Sequence, residues 1–231
     1  MNNQPDNIRT LAHKKVILLV NLGSPELLTV GAIRKFLSKF LSDKRVINLP
    51  RILWYPILYG IILLLRPSKL LVQYNHIWHK GHSPLVYYTK LQAQKLQALI
   101  NDDGIVVKYA FSYSTPHISE ALAQIHANYT VDKLIIIPLY PQFSSTTTMA
   151  VFDHVSKFYQ DKFYLPQVCY INSFYNNKLY IKALAQSILD SWATHSRHEK
   201  LIFSYHGLPI KAIQRGDAYF EQCLITTGLV A

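Results

Sequence analysis

The sequence predicts an α/β protein built on a parallel sheet covered on both faces. Two observations carry this: short apolar runs end in loop-forming residues, and stretches of helical spacing alternate with them along the whole chain. The first run, Val16-Ile17-Leu18-Leu19-Val20-Asn21, stops at Leu22-Gly23-Ser24-Pro25 and reads as a buried strand feeding a loop. Ile33, Phe36, Leu37, Phe40 and Leu41 recur at helical spacing and predict a helix over residues 30–41. After a proline-containing apolar segment, a helix is predicted over 87–100, a strand over 105–110 and a helix over 117–126. A third strand covers 133–138, a helix lies near 147–158, a strand near 167–171 and a helix near 178–192. Residues 199–203 predict a last strand, broken at once by Gly207 and Pro209 and followed by a final helix. On this reading His206 stands at the carboxyl end of a strand, the edge where open α/β sheets bind ligands.

Composition narrows the function. The 231 residues are half hydrophobic and 16% charged, enough for a packed core and unlike a disordered chain. Cys169 and Cys223 are far apart and form no CxxC pair, so no cysteine-built zinc or iron–sulfur site is expected. Such sparse cysteine use fits a reducing cytosol. The polar start, Met1 to Asp6, has no signal-type apolar core behind it and reads as a loose arm of a protein that is not secreted. The formal charge of +11 comes from basic residues scattered along the chain. They form no cluster interleaved with aromatics and no zinc-finger spacing, so no nucleic-acid partner is expected. Attraction to anionic lipids or to a carboxylate-bearing ligand explains the charge as well.

Several segments carry chemistry. Pro138-Leu139-Tyr140-Pro141-Gln142-Phe143-Ser144-Ser145-Thr146-Thr147-Thr148 offers two stiffening prolines, two aromatic faces and five consecutive hydroxyls. It reads either as a clamp for a planar apolar ligand or as a capped helix start. Phe111-Ser112-Tyr113-Ser114-Thr115-Pro116 follows the second strand, which puts it on the same sheet edge as Leu22, Tyr140 and His206. Residues 54–65, from Trp54 to Leu65, are strongly apolar between Arg51 and Arg66. This core of about a dozen residues is shorter than the roughly 20 that span a bilayer. It reads as an interior helix or as a lip touching a membrane surface. His76, His79 and His82 imitate a metal-binding face, but Gly81 and Pro84 break the helix and make them loop or solvent-facing residues. Neither GxGxxG nor GxxxxGK[ST] occurs, which removes the usual glycines of dinucleotide and nucleotide sites, and Ser204 lacks a G-x-S-x-G setting.

Taken together, these segments resemble the ferrochelatases, which insert ferrous iron into protoporphyrin IX to make protohaem. The resemblance rests on residues 19–25, Phe40-Leu41-Ser42-Asp43-Lys44-Arg45-Val46, Gly81-His82-Ser83-Pro84-Leu85, residues 138–147, Phe203 to Pro209, and Gly216-Asp217-Ala218-Tyr219 with Gln222-Cys223. It implies two Rossmann-like, chelatase-type lobes with the porphyrin between them. A loose arm would cover 1–14, a first lobe with an apolar lip 15–162, and a second, incomplete lobe 163–231. It implies His206 as the catalytic histidine that binds the metal or takes a pyrrole proton. It also implies porphyrin contacts from Leu22, Ser83, Ser112, Tyr113, Tyr140, Phe143 and Ser144. Ferrous iron and porphyrin would be substrates with no permanently bound cofactor, in a cytoplasmic protein resting peripherally on the inner membrane surface through residues 54–65. Two departures stand out: Ser112 occupies the place of a usual Arg before Tyr113, and Ser114 that of a common Gly. The family's glutamate opposite the histidine has no counterpart, since Asp217 and Glu221 match no such motif. The expectation is therefore a C-terminally truncated ferrochelatase, with a non-catalytic porphyrin- or haem-binding remnant as the alternative.

Overall fold

The computed structural model describes residues 11–79, 81–197 and 199–231. Its centre is a four-stranded, wholly parallel sheet of order β2-β1-β3-β4, formed by β1 (His13–Asn21), β2 (Ile105–Phe111), β3 (Thr130–Pro138) and β4 (Gln167–Tyr170). β1 starts inside the expected arm, whose residues 1–10 lie outside the described ones. β1 is central because its apolar run can be buried from both sides: Val16, Leu18 and Val20 are fully buried. β4 begins past residue 163 and adds to this same sheet, pairing Leu134 with Val168 and Ile136 with Tyr170.

One face of the sheet is covered by α5 (Ile118–Asn128) and α6 (Thr148–Tyr159), whose Leu122, Ile125, Val151 and Val155 close the main core over Val16, Leu18, Leu134 and Ile136. The opposite face is thinner. There α4 (Pro84–Leu99) packs Ala93 and Leu96 over β1 and β2, so the two faces are covered unequally rather than alike. A third cluster lies between α1 (Val30–Leu41) and a long surface helix, uniting Ile33, Phe36, Leu37, Trp54, Leu58, Leu63 and Tyr113.

That surface helix runs as α2 (Arg51–Ile57), a π-helical stretch (Leu58–Ile62) and α3 (Leu63–Ile77). The widened turn follows Pro56, which lacks the N–H that would complete the ladder and crowds the preceding turn. The proline therefore distorts the helix without ending it, and the apolar segment becomes part of one 27-residue helix. By length and composition this helix could cross a membrane, yet most of it lies on the surface. Trp54 anchors its start by donating Nε1–H to the Leu41 carbonyl at 2.7 Å.

The strand expected over 199–203 does not form. Residues 201–209 are irregular, and His206 is exposed rather than seated at a strand end. A strand exists only by pairing, and β4, the nearest edge in sequence, pairs with β3 alone. Beyond it, α7 (Lys178–His195) and α8 (Ile210–Gln214) bury no residue, and α9 (Tyr219–Val230) buries only Cys223 and Thr226.

The turn leaving β1 is held by Gly23, at φ +92°. A Cβ there would sit 2.1 Å from Ser114 Oγ, in a backbone region that side chains disfavour. We expect Gly23→Ala to cost about 2–3 kcal/mol in urea denaturation. The combination with Ser114→Ala should recover part of this, because the 2.1 Å clash with Oγ goes while the 3.0 Å contacts to the Phe111 and Ser114 Cβ atoms and the left-handed strain stay.

Candidate active-site edge

Three loops leave the carboxyl end of the sheet side by side, and backbone bonds keep them in step with the strands. Ser112 N–H donates to the Asn21 carbonyl at 2.9 Å, Tyr113 N–H to Leu22 at 3.1 Å, and Leu139 N–H to Val20 at 2.7 Å. Leu22, Ser112, Tyr113 and Tyr140 therefore share one edge. Leu22 and Tyr113 also pack into the cluster beneath the surface helix. Tyr113 is 4% exposed, lies edge-on to Phe40 at 5.2 Å, and donates its hydroxyl to Asp43 at 2.8 Å.

Asp43 collects the charge of this corner. Burial works to raise its carboxyl, but bonds from His154, the Arg45 backbone and Tyr113 outweigh it and lower the pKa from 3.8 to about 2. His154 Nε2 lies 3.6 Å from the carboxylate, and the His154 ring is 5.2 Å from that of His117. Burial first, then His154 and Lys39, push His117 down. Burial likewise raises Tyr113 and Tyr140 well above the ordinary phenol range. The hydroxyls of Tyr140 and Ser112 are buried together, and neither makes a hydrogen bond of good geometry.

The loop after β3 is held from a distant part of the chain. Asp217, 8% exposed, accepts from Ser144 Oγ at 3.0 Å and from Ser145 N–H and Oγ at 2.8 and 2.7 Å. Its other oxygen accepts from Tyr219 N–H at 3.0 Å. Burial alone would raise this carboxyl; the Ser145, Tyr219 and Ser144 donors bring it below the usual range. Gln222 Oε1 accepts from Phe143 N–H at 2.7 Å, and Gln142 donates to Thr226 at 3.1 Å. Tyr219 Oη in turn accepts from His206 N–H at 3.2 Å. Asp217 and Tyr219, two residues apart, thus hold both the Phe143–Ser144 loop and the His206 segment. The serine run is a braced loop, and α6 starts behind it at Thr148 with no side-chain cap bond from Thr147.

Ser83 stands apart from these groups. It caps α4 by accepting from Val86 N–H at 3.3 Å and pairs with Ser24 at 2.6 Å. It lines a cleft of about 530 Å³ with Ser24, His82, Tyr87, Lys90 and Phe111. Ser112 and Tyr113 line a different cleft of about 600 Å³. The structure therefore joins Leu22, Ser112, Tyr113 and Tyr140 on one edge, ties Phe143 and Ser144 to α9, and leaves His206 exposed. Among the described residues, no group of three His, Cys, Asp or Glu is arranged to hold a metal ion, and His76, His79 and His82 form none. Asp43, Asp217 and Gln222 were missed as site builders. The signal for Asp217 lay in Gly216-Asp217, an acid directly after a turn glycine at φ +93°.

A family model described as ferrochelatase matches residues 14–231. Ferrochelatase 2 of Shewanella oneidensis is 40% identical over 217 residues, which cover 93% of this chain and 66% of that protein. The ferrochelatase of Marinobacter nauticus is 39% identical over 233 residues, 100% of this chain and 61% of the relative. That of Aromatoleum aromaticum is 38% identical over 231 residues, 99% and 63% respectively. The chain spans a little under two thirds of the length of these curated relatives.

The Asp43 corner makes stability depend on acid. The folded carboxyl titrates near 2 and the unfolded one near 3.8, so the stabilisation is whole above the unfolded value and is lost as pH falls toward the folded one. We expect Asp43→Asn to be about 2 kcal/mol less stable than wild type at pH 7, with the gap closing between about pH 5 and pH 2. Urea denaturation at stepped pH reads this directly.

Proposed function

The chain belongs to the ferrochelatase family, and we propose that it forms the porphyrin-holding part of an enzyme that inserts ferrous iron into protoporphyrin IX. The observation that carries this reading is the bracing by Asp217 and Tyr219, which hold the aromatic and hydroxyl loop after β3 together with the His206 segment. Metallation exchanges two pyrrole N–H protons for one divalent cation, so a proton acceptor must stand at the macrocycle face. Imidazole accepts protons near neutral pH and also ligates iron, which suits His206 to receive a pyrrole proton and pass it to solvent. Its exposure on an irregular segment gives it that access to water.

The remaining side chains hold the ring. Leu22 offers an apolar surface beneath the macrocycle, and Tyr113, fixed by Asp43, offers an aromatic wall. Tyr140 and Ser112 place two buried hydroxyls without good partners on the same edge, donors for a polar group of the ligand. Phe143 is oriented by Gln222, and Ser144 acts through Asp217 as a positioning residue rather than as a direct contact. Ser83, in a separate cleft, contacts a peripheral substituent of the ring.

The surface helix supplies the route for an apolar substrate. Ile52, Leu53, Leu64 and Leu65 are each more than half exposed, and Arg66 beside them is exposed too, an arrangement suited to lying in the headgroup layer of an anionic membrane.

Two outcomes follow from this reading. His206→Ala should cut iron insertion by about 10²–10⁴-fold, the usual loss with an acid–base group, while porphyrin fluorescence quenching on binding is retained. Unchanged insertion would sink the assignment, and quenching without insertion in the wild-type chain would support the non-catalytic alternative. Separately, Ile52→Glu with Leu65→Glu should weaken co-sedimentation with anionic vesicles at least about tenfold, with the far-ultraviolet dichroism unchanged.

A further inference from the structure

The cleft of about 600 Å³ between the end of α1 and the adjoining ends of α5 and α6 has a composition that porphyrin holding does not require. Its lining includes Lys39, Lys44 and Lys157, none of which makes an ion pair among the described residues. The acids beside them are already engaged. Asp43 accepts from Tyr113 and the Arg45 backbone, Asp153 from the Arg45 guanidinium at 2.7 and 3.1 Å, and Glu120 from His117 N–H at 2.8 Å.

One further group lining the cleft has capacity unspent. His154 lines it with Nδ1 buried and unpartnered, while its other nitrogen faces Asp43. Buried donors without partners are rare in folded chains and mark places where a ligand or ion completes the bonding. Free cations above unpartnered polar atoms select an oxygen-rich anion, because charge-assisted bonds to such an anion are about twice as strong as neutral ones.

We propose that this cleft is a binding site for a small oxyanion, of the phosphate or carboxylate class. The anion sits among Lys39, Lys44 and Lys157 and accepts from His154 Nδ1–H. Occupancy does not depend on iron or porphyrin, so the site stands even if the proposed enzymatic reading fails.

The test uses the full chain with inorganic phosphate as the probe, at constant pH and ionic strength, following the His154 and His117 imidazole resonances by NMR. We expect a saturable shift that weakens at least about tenfold when a charged partner pair is removed, as in Lys39→Gln with Lys157→Gln. These lysines are exposed, so the fold survives the change; Lys44→Gln alone is the second variant and should weaken binding less. Lys182→Gln on α7 should leave it unchanged. Repeating the titration with citrate separates the sources: tighter citrate binding assigns a polycarboxylate, tighter phosphate binding a phosphate-bearing ligand. A shift that never saturates, or that responds equally to Lys182→Gln, overturns the proposal.

Discussion

The placement of β1 in the middle of the sheet is the constraint on which the rest depends. It pairs in parallel with β2 over seven residues and with β3 over eight, and buries Val16, Leu18 and Val20 completely. Parallel neighbours force all carboxyl ends to one side, so the loops after β1, β2 and β3 emerge together. Gly23 then lets the first loop turn against Ser114 with no room for a side chain between them. A one-residue slip of β1 would send its buried side chains to the other face and separate the loops that make the edge.

A second level of order comes from a buried carboxylate. Asp217 lies 72 and 73 residues beyond the serines it holds, and a charge at 8% exposure is tolerable only because four donors converge on it. Those same bonds fix the loop after β3 and, through Tyr219, the backbone of the His206 segment. The polar network thus specifies a geometry that apolar packing leaves open, since α8 and α9 bring little buried surface of their own.

The charge of +11 acquires structure in this setting. Asp43 draws His154, Tyr113 and Arg45 into one corner, leaving nearby lysines without partners, while Arg51 and Arg66 flank the exposed apolar helix. On the proposals above, the first arrangement would draw small anions and the second an anionic bilayer surface, and neither requires the clustered basic stripe of a nucleic-acid site.

The sequence by itself determined the alternation of strands and helices, because each apolar run and helical stripe is a local pattern that tertiary contacts only confirm. It also determined that the loops after β1, β2 and β3 leave one sheet edge, since parallel topology turns strand order into loop position, but it wrongly added His206 to that edge. It could not place residues 199–205: their apolar character was read correctly, but a strand is a property of a pair, and no partner among the described residues meets them. Nor could it show that the helix runs on through Pro56 by widening one turn, a continuation held by α1 packing against α3. Tertiary structure alone decided that Ser144 faces Asp217, that Tyr113 answers to Asp43, and that Ser83 belongs to a different cleft from Ser112. Those are meetings of residues tens of positions apart, and hydrogen bonds of such range leave no periodic trace in the chain.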